Sequence, residues 1–489
     1  MPATNTPLPH ARNLIGGQWF DSPKRGEAHS PATGTVLGSY ADAELDHART
    51  AIAAAHRAFT GTTWSRDRQL RARALNQLAD RMAERRDDLV TMLARENGKT
   101  LGNAAMEVDS AIPKLRYNAA LALTDAGHAG EVAPGRYSMT LRQPIGVAGV
   151  IVPWNSPVVL SVRSFAPALA AGCTVVMKMP AQTALTNGLL YEIIAGATAL
   201  PAGVVNGFTE SANEGAPLLV TDPDMHVVSY TGSTEVGKAI MAQAAAQLKP
   251  LSLELGGKSP MIVFDDADLD AVVPTLTAAV TTFAGQFCMA GARVLAQRGI
   301  APELRRRLAE ALSAVVVGPG DDPNTEMGPM IDRANAERVD RIVAEAAEYA
   351  SVVVRGGMVN RAADAADAFI RPSLVEVSDL KAPIVQREVF GPVATFEVFT
   401  DEAEAINRAN ATEYGLAASI WTRDVDRPLR VGREIDAGTV WTNTWAVVHD
   451  QMEEGGFKHS GLGRLNGHRA IEEFQEIKHF VLPGHTPAG

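Results

Sequence analysis

Cys288 is the residue best suited to covalent chemistry. It sits in the segment FAGQFCMA at 283–290. A thiolate there would be a strong nucleophile if a helix N-terminus or neighbouring donors lowered its pKa. Gly285 and Gln286, followed by small residues, suit a turn that opens a helix. A lone cysteine also reads as a small buried hydrophobe, and Cys173, inside AAGCTVV, reads that way. Glu254 lies in LELGGKS at 253–259, after alternating leucines that make a strand. Partial burial would raise its carboxyl toward the range of a general base. The two glycines that follow would let the chain hinge or approach a ligand closely. A capping or salt-bridged glutamate would explain the same residue without chemistry. Asn155 ends an apolar run after Pro153 and Trp154. Its amide could donate to a developing oxyanion or simply make a turn.

Cofactor signals are weaker one by one. YTGSTEVG at 230–237 stands between a strand-like run and a helical stretch, and helix N-termini suit phosphate. Ser233 could add a hydroxyl. Neither G-x-G-x-x-G nor a Walker motif is present there. Lys178 closes the run TVVMK, where it could meet a ribose or phosphate or simply be solvated.

These residues need elements to position them. Runs VAGVIV at 147–152, TVVMK at 174–178 and VVSYT at 227–231 alternate with Ala-rich stretches, which predicts parallel βαβ units. A second series runs through MIVF at 261–264, SVVV at 351–354 and SIWT at 419–422. Two α/β domains follow, with the seam near Gly256-Gly257. Residues 13–40 read as short strands and turns. Residues 42–122 read as helices, with Leu70, Ala74, Leu78 and Met82 at helical spacing and Pro113 beginning a further helix. Residues 131–143 predict a projecting hairpin, 361–368 a helix or surface loop, and 480–489 an extended tail.

Composition narrows the function classes. The chain has 489 residues, 46% hydrophobic and 21% charged, with a net charge of −11. That acidity, without a basic stripe, argues against nucleic-acid binding. Two cysteines are too few for a disulfide scaffold and suit a reducing compartment. The N-terminus lacks a signal-peptide pattern, and no apolar run reaches the ~18–20 residues that span a bilayer. A soluble, cytoplasmic protein without membrane or nucleic-acid partners is expected, and no metal site.

Taken together the segments resemble the aldehyde dehydrogenase superfamily over nearly the whole chain. Pro-Trp-Asn at 153–155, Lys178, Thr-Gly-Ser-Thr-Glu at 231–235 and Glu-Leu-Gly-Gly-Lys at 254–258 occur in family order. Gly-Gln-x-Cys at 285–288, Glu-x-Phe-Gly-Pro at 388–392 and Gly-Gly-Phe-Lys-x-Ser-Gly at 455–461 complete the set. The resemblance implies two α/β domains with parallel sheets plus a small β oligomerisation unit. A dinucleotide-binding domain would comprise 1–121 and 145–256, and a catalytic domain 257–456. Residues 122–144 and 457–489 would form the oligomerisation hairpin and tail of a homodimer or homotetramer.

It further implies that Cys288 attacks an aldehyde, that Asn155 stabilises the thiohemiacetal oxyanion, and that hydride passes to NAD or NADP. Glu254 would then activate water against the thioester. Glu388 would hold the nicotinamide ribose beside Phe390, Ser233 the pyrophosphate and Lys178 the adenosine ribose. Trp154, Gly232 and Leu255 would shape the cofactor cleft.

Departures from the family pattern carry the specificity. Many NAD-preferring members have glutamate where this chain has Ala181, so a 2′-phosphate meets no carboxylate there and dual cofactor use is expected, with NAD slightly ahead. Arg163 and Glu454 stand where apolar residues are common. Arg163 could bind a carboxylate or phenolate on the substrate; the preferred reading is an Arg163–Glu454 salt bridge. Phe287, Met289, Trp441 and Trp445 suit an aromatic or medium aliphatic aldehyde, while Asp450, Glu453 and Glu454 leave room for a cationic one. Leu465-Asn466 replaces a glutamate common in relatives. Glu254 argues against a CoA-acylating semialdehyde dehydrogenase. The same fold could also carry a cysteine esterase or a non-catalytic protein.

Overall fold

A computed structural model describes residues 8–124, 127–359 and 367–482. Its frame is two large sheets. The first has eight strands, in the order Gly461–Leu462, Leu251–Glu254, Val227–Thr231, Val147–Ile151, Thr174–Pro180, Val205–Glu210, Asn13–Ile15 and Gln18–Phe20. Its five central strands are parallel, and the short outer ones run antiparallel. The second has seven strands, from Ser351–Val354 through Ser373–Glu376, Val393–Phe399, Arg293–Gln297, Pro260–Val263 and Ala417–Trp421 to Thr439–Thr442.

Helices cover both faces of the central strands, which explains why those strands are continuous apolar runs instead of alternating ones. Every residue of Val147–Ile151 and Val227–Thr231 is buried. The helix Pro157–Ala171 is buried almost throughout, packed between the first sheet and the helices Arg68–Glu84 and Leu101–Thr124. The chain crosses from the first sheet to the second through Gly256 and Gly257, between Leu251–Glu254 and Pro260–Val263.

Three expectations need correcting. Pro113 does not begin a helix but lies inside Leu101–Thr124. It and Asp109, one turn earlier, face solvent, so water can take the carbonyl that the missing N–H leaves. The run SVVV is a strand, but it pairs antiparallel with Ser373–Glu376 at the edge of the second sheet. Residues after 456 are not all tail, because Gly461–Leu462 adds a strand beside Leu251–Glu254. The segment 361–366 and the last residues of the expected tail, 483–489, lie outside the described residues.

A third sheet stands apart in composition. Ala129–Ala133, Arg136–Pro144 and Gln475–Leu482 form an antiparallel trio. Ile477 and Val481, two strand periods apart on one face, are 65% and 71% exposed. No helix among the described residues is long and apolar enough to cross a membrane.

Candidate active site

The C-terminal ends of parallel strands open toward one edge of a sheet, where ligands bind. At that edge of the first sheet, facing the second, is a cleft of about 530 Å³. Its walls carry Trp154, Asn155, Gly232, Ser233, Glu254, Leu255, Cys288, Glu388 and Phe390, which the chain supplies from segments more than 200 residues apart. A larger cavity, about 930 Å³, lined by Arg66, Arg68, Arg142 and Gln475 among others, contains none of them.

Cys288 does not open a helix. It lies in a tight turn, with Ala290 N–H donating to the Phe287 carbonyl at 3.0 Å, and the next element is the strand Arg293–Gln297. Phe283, Ala284 and Gly285 are all left-handed, at φ 54°, 54° and 71°. Only glycine fits at 285, since a Cβ there would collide with the backbone of Gly391. Gln286, which carries no sequence signal beyond the motif, anchors the turn. Its side-chain amide donates to the Phe283 carbonyl at 3.0 Å and its Oε1 accepts from Ile331 N–H at 3.0 Å. Without a helix N-terminus beneath it, the thiol is not lowered: burial pushes it up to about 12, with Arg163 drawing it back and Glu454, Glu254 and Glu388 adding to the rise.

Asn155 follows the strand Val147–Ile151 and donates through Nδ2 to the Gln286 carbonyl at 3.1 Å. Beneath it Lys99 and Glu107 form a fully buried ion pair. Glu107 accepts from Val158 N–H at 2.8 Å, capping the helix Pro157–Ala171, and Lys99 donates to Ser156 Oγ at 3.2 Å. Neither residue carries a signal in the sequence, because their contacts join segments far apart in the chain.

Glu254 ends its strand buried, and its Oε1 has no hydrogen-bond partner among the described residues. Burial pushes its carboxyl up to about 8; Arg163 draws it down and Glu454 pushes it up. Glu388, on the opposite wall, accepts from Gly257 N–H at 2.9 Å, and a Cβ on Gly256 would collide with its carboxylate. Burial raises it to about 7 against that N–H and the charge of Lys258. Trp154 and Phe390 meet edge to face, centroids 5.6 Å apart. Ser233 caps the helix Thr234–Ala244, accepting from Val236 N–H at 3.4 Å.

Lys178 and Ala181 do not line the cleft wall. Lys178 ends beside the buried Glu210 strand end, and burial lowers its pKa against the Glu210 charge. Arg163 Nη1 meets Glu454 Oε1 at 3.0 Å and Nη2 donates to Thr231 Oγ1 at 3.1 Å, so the guanidinium is engaged inside the protein. Asp450 is paired with Lys114 at 2.6 Å. Phe287 packs edge to face between Phe283 and Trp445, centroids 5.5 and 5.8 Å away. Trp445 Nε1 donates to the Met289 carbonyl at 2.9 Å, while the Met289 side chain is buried with Leu416, Ala417 and Trp441. Asn335 and Arg338, from the helix Arg333–Ala346, also line the cleft; no motif marks them.

Two parallel-stranded α/β sheets with a cysteine, a buried carboxylate and a side-chain amide around the cleft between them define a class of two-domain enzyme. The sequence profile described as Aldehyde dehydrogenase family matches residues 19–480. The chain is 37% identical to the NADP(+) succinate-semialdehyde dehydrogenase GabD of Escherichia coli, over 96% of this chain and 97% of that one. It is also 37% identical to phenylacetaldehyde dehydrogenase of Pseudomonas fluorescens, over 97% and 96%. Among solved structures, betaine aldehyde dehydrogenase of Staphylococcus aureus in complex with NAD+ superposes with a TM-score of 0.93 at 34% identity, covering 96% of this chain and 94% of that one. The chain belongs to the aldehyde dehydrogenase family.

Proposed function

We propose that this NAD(P)-dependent aldehyde dehydrogenase oxidises a neutral aromatic or medium aliphatic aldehyde to its carboxylic acid. The observation that carries the reading is the meeting of Cys288, Asn155 and Glu254 in one cleft. Cys288 Sγ attacks the carbonyl carbon, and its proton passes to Glu254. The oxygen that becomes negative takes the Asn155 N–H not committed to Gln286. When bound, the dinucleotide accepts hydride. Glu254 gives the thiol proton up to solvent and then deprotonates the water that opens the thioester left on Cys288, a task suited to a carboxylate poised near 8. The water oxygen bonds to the acyl carbon, the C–S bond breaks, and the leaving thiolate takes the water proton from Glu254.

The residues fit a dinucleotide. The capped N-terminus at Ser233 leaves backbone N–H groups for phosphate, and Glu388 and Phe390 face it across the cleft. Ala181 leaves the ribose end without a carboxylate at that position, which supports use of both NAD and NADP. The Phe283–Phe287–Trp445 edge suits an apolar substrate. Of the charges that could select an ionic one, Arg163 and Glu454 pair with each other, Asp450 pairs with Lys114, and Glu453 accepts from Arg469 N–H.

The dinucleotide-binding part would be 1–121 with 145–256 and the catalytic part 257–456. The exposed apolar face of the third sheet supports a homodimer or homotetramer, which would cover its edge. Both cysteines are free, which supports a reducing, cytoplasmic setting. The test is reduced-cofactor absorbance with NAD or NADP against phenylacetaldehyde, benzaldehyde, hexanal, succinate semialdehyde and betaine aldehyde. Fastest turnover on the first three, absent in Cys288→Ala, is the expected result. Preference for the carboxylated or cationic aldehyde would overturn the substrate assignment, and turnover surviving Cys288→Ala would overturn the mechanism.

A further inference from the structure

Two opposite charges are buried beside the reacting groups. Arg163 is 4% exposed and Glu454 7%. Besides its 3.0 Å contact with Glu454, Arg163 holds Thr231, the residue directly opposite Glu254 in the parallel pairing of Val227–Thr231 with Leu251–Glu254. Glu454 is fixed from the other side. Its backbone exchanges hydrogen bonds with Leu465 at 2.7 and 2.8 Å, and its Oε2 accepts from Asn466 Nδ2 at 2.8 Å. Asn466 Oδ1 in turn accepts from Lys114 at 3.2 Å. Asn466 thus orients Glu454.

Such a pair is not explained by stability. Desolvating two charges commonly costs as much as their attraction returns, and apolar residues of equal size would serve as well or better. The pair does act on the reacting groups. The positive charge of Arg163 favours a thiolate on Cys288 and a carboxylate on Glu254, and Glu454 opposes both. Arg464 and Glu473 also face Glu254, with opposite signs. Arg163 Nε and Glu254 Oε1 are each buried without a hydrogen-bond partner among the described residues.

We propose that Arg163 and Glu454 are a positioning pair for the thiol and the base: Arg163 supplies the fixed positive charge that draws out the two anions, and Glu454 holds the guanidinium in place while moderating its field. The inference rests on Cys288 and Glu254 being nucleophile and base.

The test is the pH dependence of iodoacetamide alkylation at Cys288, followed by peptide mass in the full-length protein. It compares wild type with Arg163→Met, Arg163→Lys, Glu454→Gln and the Arg163→Met/Glu454→Gln double variant. Glu454→Gln should move the profile to lower pH and Arg163→Met to higher pH, each by roughly half a unit or more. The double variant and Arg163→Lys should stay near wild type. A pair that only packs would leave every profile in place, and that result, or shifts in the same direction, overturns the proposal. If Arg163→Met does not fold, Glu454→Gln and Arg163→Lys decide: an unmoved Glu454→Gln profile, or an Arg163→Lys profile displaced upward, overturns it. Alkylation needs neither aldehyde nor cofactor. Absence of turnover would therefore sink the dehydrogenase reading while this measurement still reported on the pair.

Discussion

The side chain of Asn155 donates to the backbone carbonyl of Gln286, 3.1 Å away, and so ties the end of a first-sheet strand to the turn that bears Cys288. That contact lies two residues before the thiol in the chain and leaves the second amide N–H for the oxyanion that the proposed mechanism generates. Asn155→Ala should lower kcat by roughly 10²–10³-fold, with far-UV circular dichroism unchanged. Steady-state kinetics on the best aldehyde of the panel checks this.

Glu254 should impose a pH dependence of definite sign. Its base form is the carboxylate, and its pKa lies near 8. Turnover should therefore rise with pH through that region while the acyl enzyme is being hydrolysed. Glu254→Gln should remove the rise and slow both the first burst of reduced cofactor and the turnover that follows it. Stopped-flow absorbance separates the two phases.

Cofactor choice should respond to Ala181. On the proposed placement of Ala181 at the adenosine ribose, Ala181→Glu would bring a negative charge to a 2′-phosphate, and kcat/KM with NADP should fall roughly tenfold or more. The NAD value should hold or improve. Equal losses with both cofactors would mean that Ala181 lies away from the ribose.

Arg293 and Glu397 form a bidentate pair inside the second sheet, at 2.8 and 2.7 Å, both fully buried. Glu397→Ala would strand a guanidinium in the core and should cost about 3–5 kcal/mol. Differential scanning calorimetry should record a lower first transition. An unchanged transition would mean the site takes in water without loss.

The third sheet offers a test of assembly. Ile477→Glu with Val481→Glu puts two charges on one exposed apolar face. Light scattering after size exclusion should show a smaller particle than wild type.

Much of the architecture is legible in the sequence because the central strands are buried on both faces and have to be apolar throughout. VAGVIV and VVSYT announce themselves for that reason. The segment at 283–290 is not legible as a left-handed turn. Ala284 in isolation favours right-handed backbone, but in the fold it is left-handed and buried in a cluster with Met327, Val339 and Val393. Pro113 misleads because the local rule for proline ignores which face of the helix meets water. Lys99 and Glu107 carry no signal, since each acts through a partner distant in the chain, and for Gln286 the motif does not foretell its bond to Ile331. The local sequence around Cys288 suggests a thiol lowered by its surroundings, whereas burial among carboxylates raises it.

The collision that forbids a side chain at Gly285 has a consequence for how the enzyme can change. The stretch carrying Cys288 and the stretch carrying Glu388 and Phe390 are wedged backbone to backbone at Gly285 and Gly391. Neither can drift without dragging the other. Substitutions that resize the wall of the cleft near residue 390 will therefore also re-aim the thiol, and evolving one without damage to the other requires paired changes on both sides of the wedge.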